Sequence, residues 1–252
     1  MAFCELRYRS AALEKQVAAN VILPEGKGDG PFPVFYLLHG LSDDHTMWSR
    51  NTSLERYAAA YPMIVVMPDG GRSFYCDAAQ GFAYETAIVG DLVGTVDRLF
   101  QTRRGRAGRA IGGLSMGGYG ALKLALRFPE MFCSATSHSG AVHFGHDFWH
   151  DRSEFARIVG EPVCGGPNDL YRIAEEHASG KRSPLPALRI DCGADDFLSE
   201  DNRAFHAHLE KLGLAHEYAE FPGAHTWDYW DAHVQEALAF HARNLGIEKA
   251  AV

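Results

Sequence analysis

The stretch over 109–120, RAIGGLSMGGYG, constrains this chain more than any other. It sets one serine in the pattern Gly113-x-Ser115-x-Gly117, after a short apolar run and before the helical pattern GYGALKLALRF over 118–128, which Pro129 ends. A strand that turns so sharply into a helix holds its turning residue in a strained, exposed conformation, and glycines on either side let strand and helix approach closely. A turn of this kind needs a buried strand before it and a helix after it. As a catalytic device it also needs an acid and then a histidine further along the chain.

The rest of the sequence is read against those needs. Two unbroken apolar runs, VFYLL over Val34–Leu38 and MIVVM over 63–67, end in turn residues, as parallel strands covered on both faces do. QVAANVIL over 16–23 alternates instead, placing Val17, Ala19, Val21 and Leu23 on one side as a half-buried antiparallel strand would. More strands are expected near 109–112 and at 134–138, 187–191 and 216–221. Helical patterns fall at roughly 50–60, 84–100, 201–212 and 228–245. In 84–100 the stripe is Ile88, Leu92, Val96 and Leu99; in 228–245 it is Trp230, Val234, Leu238 and Leu245. This alternation predicts an α/β fold with a mostly parallel central sheet and helices on both faces. Residues 1–252 are expected to form a single domain, with the irregular region 143–186 a small insertion over the sheet.

Charge and cysteine content narrow the function classes. Lys and Arg number 24 against 32 Asp and Glu, a formal charge of −8, so a phosphate-tracking surface and a nucleic-acid partner are not expected. The N-terminal MAFCELRYRSAALEKQ carries charges where a signal peptide needs an apolar core, and no later segment approaches 18 uninterrupted apolar residues. These features point to a cytoplasmic protein with no membrane partner; self-association into a homo-oligomer is compatible with them. Five scattered cysteines with no C-x-x-C pair fit reduced thiols better than a disulfide framework.

A serine hydroxyl becomes a useful nucleophile only with a base in hydrogen-bond reach and a third group to orient that base. IDCGADDFL places Asp195 and Asp196 just beyond the strand ending near Asp191, and FPGAHTWDYW places His225 ahead of the last helix. The order serine, acid, histidine is that of an α/β-hydrolase. The backbone N–H of Met116, directly after the serine, and that of Leu41, in the His39-Gly40 turn of YLLHGLSDDHTMW, are the candidate donors to a tetrahedral oxyanion.

On LLHGLSDDHTMW, VVMPDGGRSFYCD, GGLSMGGYGALKLAL and IDCGADDFLSEDNRAFHAHL, nearly the whole chain resembles the putative esterase family of α/β-hydrolases. That family includes esterase D, S-formylglutathione hydrolases, tributyrin-type short-chain esterases, and feruloyl and acetyl-xylan esterases. The resemblance implies an α/β-hydrolase fold with Ser115 as nucleophile, Asp196 rather than Asp195 as acid, His225 as base, and the N–H groups of Leu41 and Met116 as oxyanion hole. Where S-formylglutathione hydrolases carry a cysteine shortly after the first Gly-Leu, this chain has Ser42-Asp43-Asp44-His45. A serine carboxylesterase for short acyl esters is therefore expected. S-formylglutathione thioester hydrolysis, acetyl or feruloyl ester hydrolysis, acyl transfer to an alcohol, and a non-catalytic binding member of the fold are the alternatives.

His39, Trp48, Trp149 and Trp227 are candidates to line the substrate pocket, with Trp48 and the run 144–149 expected to close its acyl side. On a helix, His143, His146 and His150, with Asp151 beside them, would share a face as metal ligands could. Histidines beside Phe144, Phe148 and Trp149 are equally the lining of a pocket or interface, and a serine mechanism needs no metal, so neither a metal nor another cofactor is expected.

Overall fold

Eight strands form one sheet in the computed structural model, which describes residues 1–146, 153–160 and 164–249. They are β1 (Ala2–Ser10), β2 (Lys15–Leu23), β3 (Val34–Leu38), β4 (Ile64–Pro68), β5 (Arg109–Leu114), β6 (Ser134–His138), β7 (Ala187–Gly193) and β8 (Glu217–Phe221). Their order across the sheet is β1-β2-β4-β3-β5-β6-β7-β8. β1 and β2 are antiparallel to each other, β2 is antiparallel to β4, and every later pairing is parallel. β3, β4 and β6 are buried at every position, so their sequences show no period-two alternation.

The helices are α1 (Met47–Asn51), α2 (Leu54–Ala58), α3 (Tyr84–Thr86), α4 (Val93–Leu99), α5 (Met116–Arg127), α6 (Ser153–Val159), α7 (Leu170–Ala178), α8 (Ser199–Lys211) and α9 (Trp227–Leu245). A π-helical stretch, Ala87–Leu92, joins α3 to α4. On one face of the sheet, α1, α2 and α9 bury Trp48, Leu54, Val234 and Leu238 against Phe35, Leu37, Val65 and Met67. On the other, the 84–99 segment, α5, α7 and α8 bury Val96, Leu122, Ile173 and Phe205 with Tyr36, Leu38, Val66 and Ile111. The α/β-hydrolase architecture expected from the sequence, with both faces of a mostly parallel sheet covered, is present. Among the described residues no helix is long and apolar enough to cross a membrane.

Three details depart from the sequence reading. The N-terminal residues form β1, whose Cys4, Leu6 and Tyr8 pack on the core while Glu5, Arg7 and Arg9 face out, an alternation hidden by its charges. The helical pattern near 50–60 is divided: Thr52 is extended, and the Asp231 carboxylate of α9 accepts the Ser53 N–H at 2.7 Å ahead of α2. Leu99, assigned to a buried stripe, is 54% exposed at the last position of α4, where Phe100 turns extended. The 143–186 region includes two described helices, of which α7 packs on α5 and α8.

Candidate active site

Ser115 sits between β5 and α5 with φ +52° and ψ −119°, a backbone conformation an L-residue adopts only when its surroundings enforce it. Its N–H donates to the His138 carbonyl at 2.9 Å, and its own carbonyl accepts from Tyr119 and Ala141 at 3.1 Å. The flanking glycines are required by closeness. A Cβ on Gly113 would lie 2.5 Å from the Gly117 backbone, and one on Gly117 would lie 2.5 Å from the Leu38 carbonyl oxygen. Strand β5, helix α5 and the end of β3 touch backbone to backbone here, and Ser115 lines the pocket beside them.

That side chain meets the two residues expected from the loops after β7 and β8. Ser115 Oγ is 3.1 Å from His225 Nε2, and His225 Nδ1 is 2.9 Å from Asp196 Oδ2 and 3.1 Å from Oδ1. Asp196 is buried, while the His225 side chain is 20% exposed. Burial pushes the Asp196 carboxyl upward, but hydrogen bonding and charge from His225, the Leu198 N–H at 2.9 Å and the Ser139 hydroxyl outweigh it and hold the pKa below the ordinary value. Asp195, the neighbouring acid, is exposed on the other side of the turn, its N–H bound to the Gly223 carbonyl at 2.9 Å.

Ser139 was not singled out by the sequence. It too has positive φ, +48°, at the end of β6, and its hydroxyl links Asp196 to Trp230 Nε1, which donates at 3.3 Å.

Leu41 and Met116 line the same pocket as Ser115 and His225. Met116 opens α5, where backbone N–H groups have no partner within the helix. His39 does not line that pocket. It is 1% exposed, accepts the Gly70 N–H at Nε2 (2.8 Å), and must therefore carry its proton on Nδ1, which donates to the Gly40 carbonyl at 2.7 Å. Because C=O and N–H of a trans peptide point to opposite sides, anchoring the Gly40 carbonyl turns the Leu41 N–H away from His39.

The pocket has a volume of about 430 Å³ and is walled by Phe74, Leu114, Ala141, Phe197, Trp227 and Trp230, with Asp43 at the Gly40 side. Trp227 is where the sequence reading put it. Trp48 is not: it is 1% exposed, its indole N–H satisfied by the Leu38 carbonyl at 3.0 Å and its ring edge-on to Trp227, so it supports the wall from behind. Phe144 likewise stacks behind Phe74 and does not reach the pocket surface. Trp149 lies outside the described residues, as do His150 and Asp151. His143 and His146 occupy a turn, not a helix. Of the lining residues not expected, Phe197 follows Asp196 directly and its ring rests 4.6 Å from that of His225, an adjacency visible in the sequence.

Comparisons with known proteins bear on the family and the fold. A family profile described as "Putative esterase" matches residues 10–241. A relative named "Acetyl esterase", from Caldicellulosiruptor saccharolyticus, is 28% identical, the match covering 96% of this chain and 99% of that protein. The substrate-bound structure of fluorophosphonate-binding serine hydrolase F of Staphylococcus aureus superposes with TM-score 0.87 at 32% identity, over 95% of this chain and 97% of that one. The S-formylglutathione hydrolase of the same organism superposes with TM-score 0.85 at 31% identity, over 95% and 98%.

Proposed function

The chain belongs to the family described as "Putative esterase" and is an ester-hydrolysing enzyme; from that premise we propose that it is a single-domain serine carboxylesterase for short acyl groups. In this reading Ser115 is the nucleophile, His225 the general base and Asp196 its orienting acid. His225 Nε2 accepts the Ser115 hydroxyl proton as Oγ attacks the ester carbonyl carbon. Asp196 holds the Nδ1–H tautomer and balances the imidazolium charge. The oxyanion accepts hydrogen bonds from the Leu41 and Met116 N–H groups, the first aimed by His39 and the second at the N-terminus of α5. Collapse of the tetrahedral intermediate expels the alcohol, which takes the proton back from His225. A water molecule then repeats the sequence on the acyl-enzyme.

The observation that carries this reading is the unbroken array from Ser115 Oγ to His225 at 3.1 Å and from His225 to buried Asp196 at 2.9 Å, opening into an apolar pocket. The pocket, about 430 Å³ with aromatic walls, is of a size that takes a small-molecule ester, acyl and alcohol parts together. A thioester would be resolved by the same array, and the likeness to an S-formylglutathione hydrolase makes that the second reading.

The test is a panel of p-nitrophenyl esters from acetyl to octanoyl, run beside S-formylglutathione and a feruloyl ester on the wild type and Ser115→Ala. We expect kcat/KM to fall beyond butyryl, although each added methylene offers about 0.8 kcal/mol where room exists. Ser115→Ala should lose about 10⁴-fold or more with its unfolding temperature unchanged. An active Ser115→Ala enzyme would overturn the mechanism. Rates rising through octanoyl, or S-formylglutathione outrunning every oxyester by orders of magnitude, would overturn the substrate class.

A further inference from the structure

Away from Ser115, three side chains of different chemistry converge. His146, Cys164 and Asp169 each present a ligand atom, and these atoms lie within 4.8 Å of one another. His146 Nε2 is 3.2 Å from Asp169 Oδ1, and Cys164 Sγ lies 2.9 Å from Nδ1 of the same ring and 3.5 Å from Nε2. Around tetrahedral zinc, with bonds of roughly 2.3 Å to sulfur and 2.0–2.2 Å to nitrogen or oxygen, neighbouring ligand atoms stand about 3.4–3.6 Å apart. Nε2 and Asp169 Oδ1 thus stand near tetrahedral spacing, and rotation of the exposed Cys164 side chain off Nδ1 brings its sulfur to the same ion. We propose that His146, Cys164 and Asp169 form a site for a zinc-class divalent cation that fastens the 143–146 turn to the loop ahead of α7.

Two of the three ligands are held in place without the cation, while Cys164 is exposed. Asp169 is 4% exposed; its Oδ2 accepts the Gly165 N–H at 2.7 Å and its Oδ1 the Tyr171 N–H at 3.0 Å, which caps α7 and folds the 164–169 loop back on itself. The His146 N–H donates to the His143 carbonyl at 3.0 Å, closing the turn that carries it. A nitrogen, sulfur and oxygen donor set selects zinc-like ions over calcium or magnesium, which take oxygen ligands.

The charge balance also fits. One thiolate and one carboxylate neutralise a dication, leaving no excess charge at a partly buried position. Binding forms a sulfur–metal bond as the Cys164 thiol gives its proton to solvent. His146 contributes the Nε2 lone pair with its proton on Nδ1, and affinity therefore rises with pH. Water from the adjoining cavity of about 760 Å³, which His146 and Asp169 line together with His143, Glu175 and His208, can take the fourth position.

The role is structural, with a reach into the ester site. Phe144, two residues before His146, stacks on Phe74 with ring centroids 3.7 Å apart, and Phe74 walls the Ser115 pocket. A cation at His146 braces that wall from outside.

The experiment uses tag-free protein, kept reduced with a phosphine and titrated with Zn²⁺ and with Co²⁺. Wild type is compared with Cys164→Ser, His146→Ala and the double variant His206→Ala/His216→Ala. The last removes a second histidine pair, whose Nδ1 and Nε2 are 2.7 Å apart. We expect one equivalent bound by the wild type, a thiolate-to-cobalt charge-transfer band, and a rise in unfolding temperature. We also expect roughly 100-fold or greater loss of affinity in Cys164→Ser and His146→Ala, and no loss in the double variant. Equal affinity in wild type and Cys164→Ser, the absence of the charge-transfer band, or loss of binding in the double variant would each overturn the proposal.

Discussion

Two histidine–aspartate pairs lie within a few residues of each other in this fold, and they do opposite work. His225 and Asp196 sit on the loops that leave β8 and β7, 2.9 Å apart, with the far nitrogen of the ring 3.1 Å from a strained serine and the ring partly open to solvent. His138 and Asp191 are cross-strand partners in β6 and β7, also 2.9 Å apart, with neither side chain exposed. His138 Nε2 has no protein partner among the described residues. Tyr229 donates to Asp191 at 3.1 Å, and the backbone carbonyls of both residues support the first site, His138 receiving the Ser115 N–H and Asp191 the Ser139 N–H. A histidine–carboxylate contact is therefore not what makes a site. Placement beyond the strand ends, with a third group and room for substrate, is what separates the proposed catalytic pair from a buried brace.

The largest effect that sharpens the contrast is at the exposed pair. Asp196→Asn should lower kcat about 10⁴-fold by leaving His225 in the wrong tautomer. Asp195→Asn, facing solvent one residue earlier, should stay within about twofold, as surface changes do. Equal losses in ester turnover would erase the distinction, and the reverse pattern would move the role to Asp195.

At the buried pair the effect should appear in stability. His138→Ala takes the imidazole from Asp191 and leaves it the Tyr229 hydroxyl and, at 3.8 Å, the Arg189 guanidinium, so denaturant unfolding should show a loss of about 1–3 kcal/mol. The fraction that stays folded should keep its kcat within about tenfold, because the His138 side chain does not line the Ser115 pocket and alanine keeps the carbonyl that accepts the Ser115 N–H. A loss near that of Asp196→Asn in fully folded protein would break the comparison.

His39 is a case between the two. It is as buried as His138 but holds the Gly40 carbonyl, whose peptide carries the Leu41 N–H. His39→Ala should reduce kcat about 100-fold, the cost of one misdirected oxyanion donor, while KM changes little. An unchanged kcat would make His39 a brace only.

The smallest effect is in acid. Asp196 has its folded pKa below the ordinary value, so its contribution to stability is complete above the unfolded pKa near about 4 and is lost as pH falls through the folded value. Thermal unfolding between about pH 5 and pH 2 should fall less steeply for Asp196→Asn than for wild type. Parallel curves would mean that Asp196 is not held ionised by its neighbours.

How much of this was legible follows from the range of each interaction. The β3 and β4 runs, the glycines about Ser115 and the spacing to Asp196 and His225 are local patterns. A strand buried on both faces must be apolar throughout, and a helix packed backbone to backbone on a strand tolerates no Cβ at the contact. β1 is hidden in the sequence because its outward Glu5, Arg7 and Arg9 are charged, although its inward residues alternate correctly. Whether a polar-tipped ring lines a pocket or fills the core depends on a partner distant in sequence. Trp48 is taken inward by the Leu38 carbonyl and His39 by the Gly40 carbonyl and Gly70 N–H, while Phe74 and Trp230 are brought to the pocket. His146 belongs to the histidine run visible in the sequence, but the residues that meet it, Cys164 and Asp169, lie 18 and 23 residues further on. The amino-acid sequence by itself determined the layered sheet, the turn that strains Ser115 and the loops bearing its two partners, because short-range sterics and hydrophobic period dictate them. Only the tertiary structure decided which buried polar groups became braces and which faced the substrate, since a hydrogen-bond partner is found by where the chain returns in space and not by its distance along it.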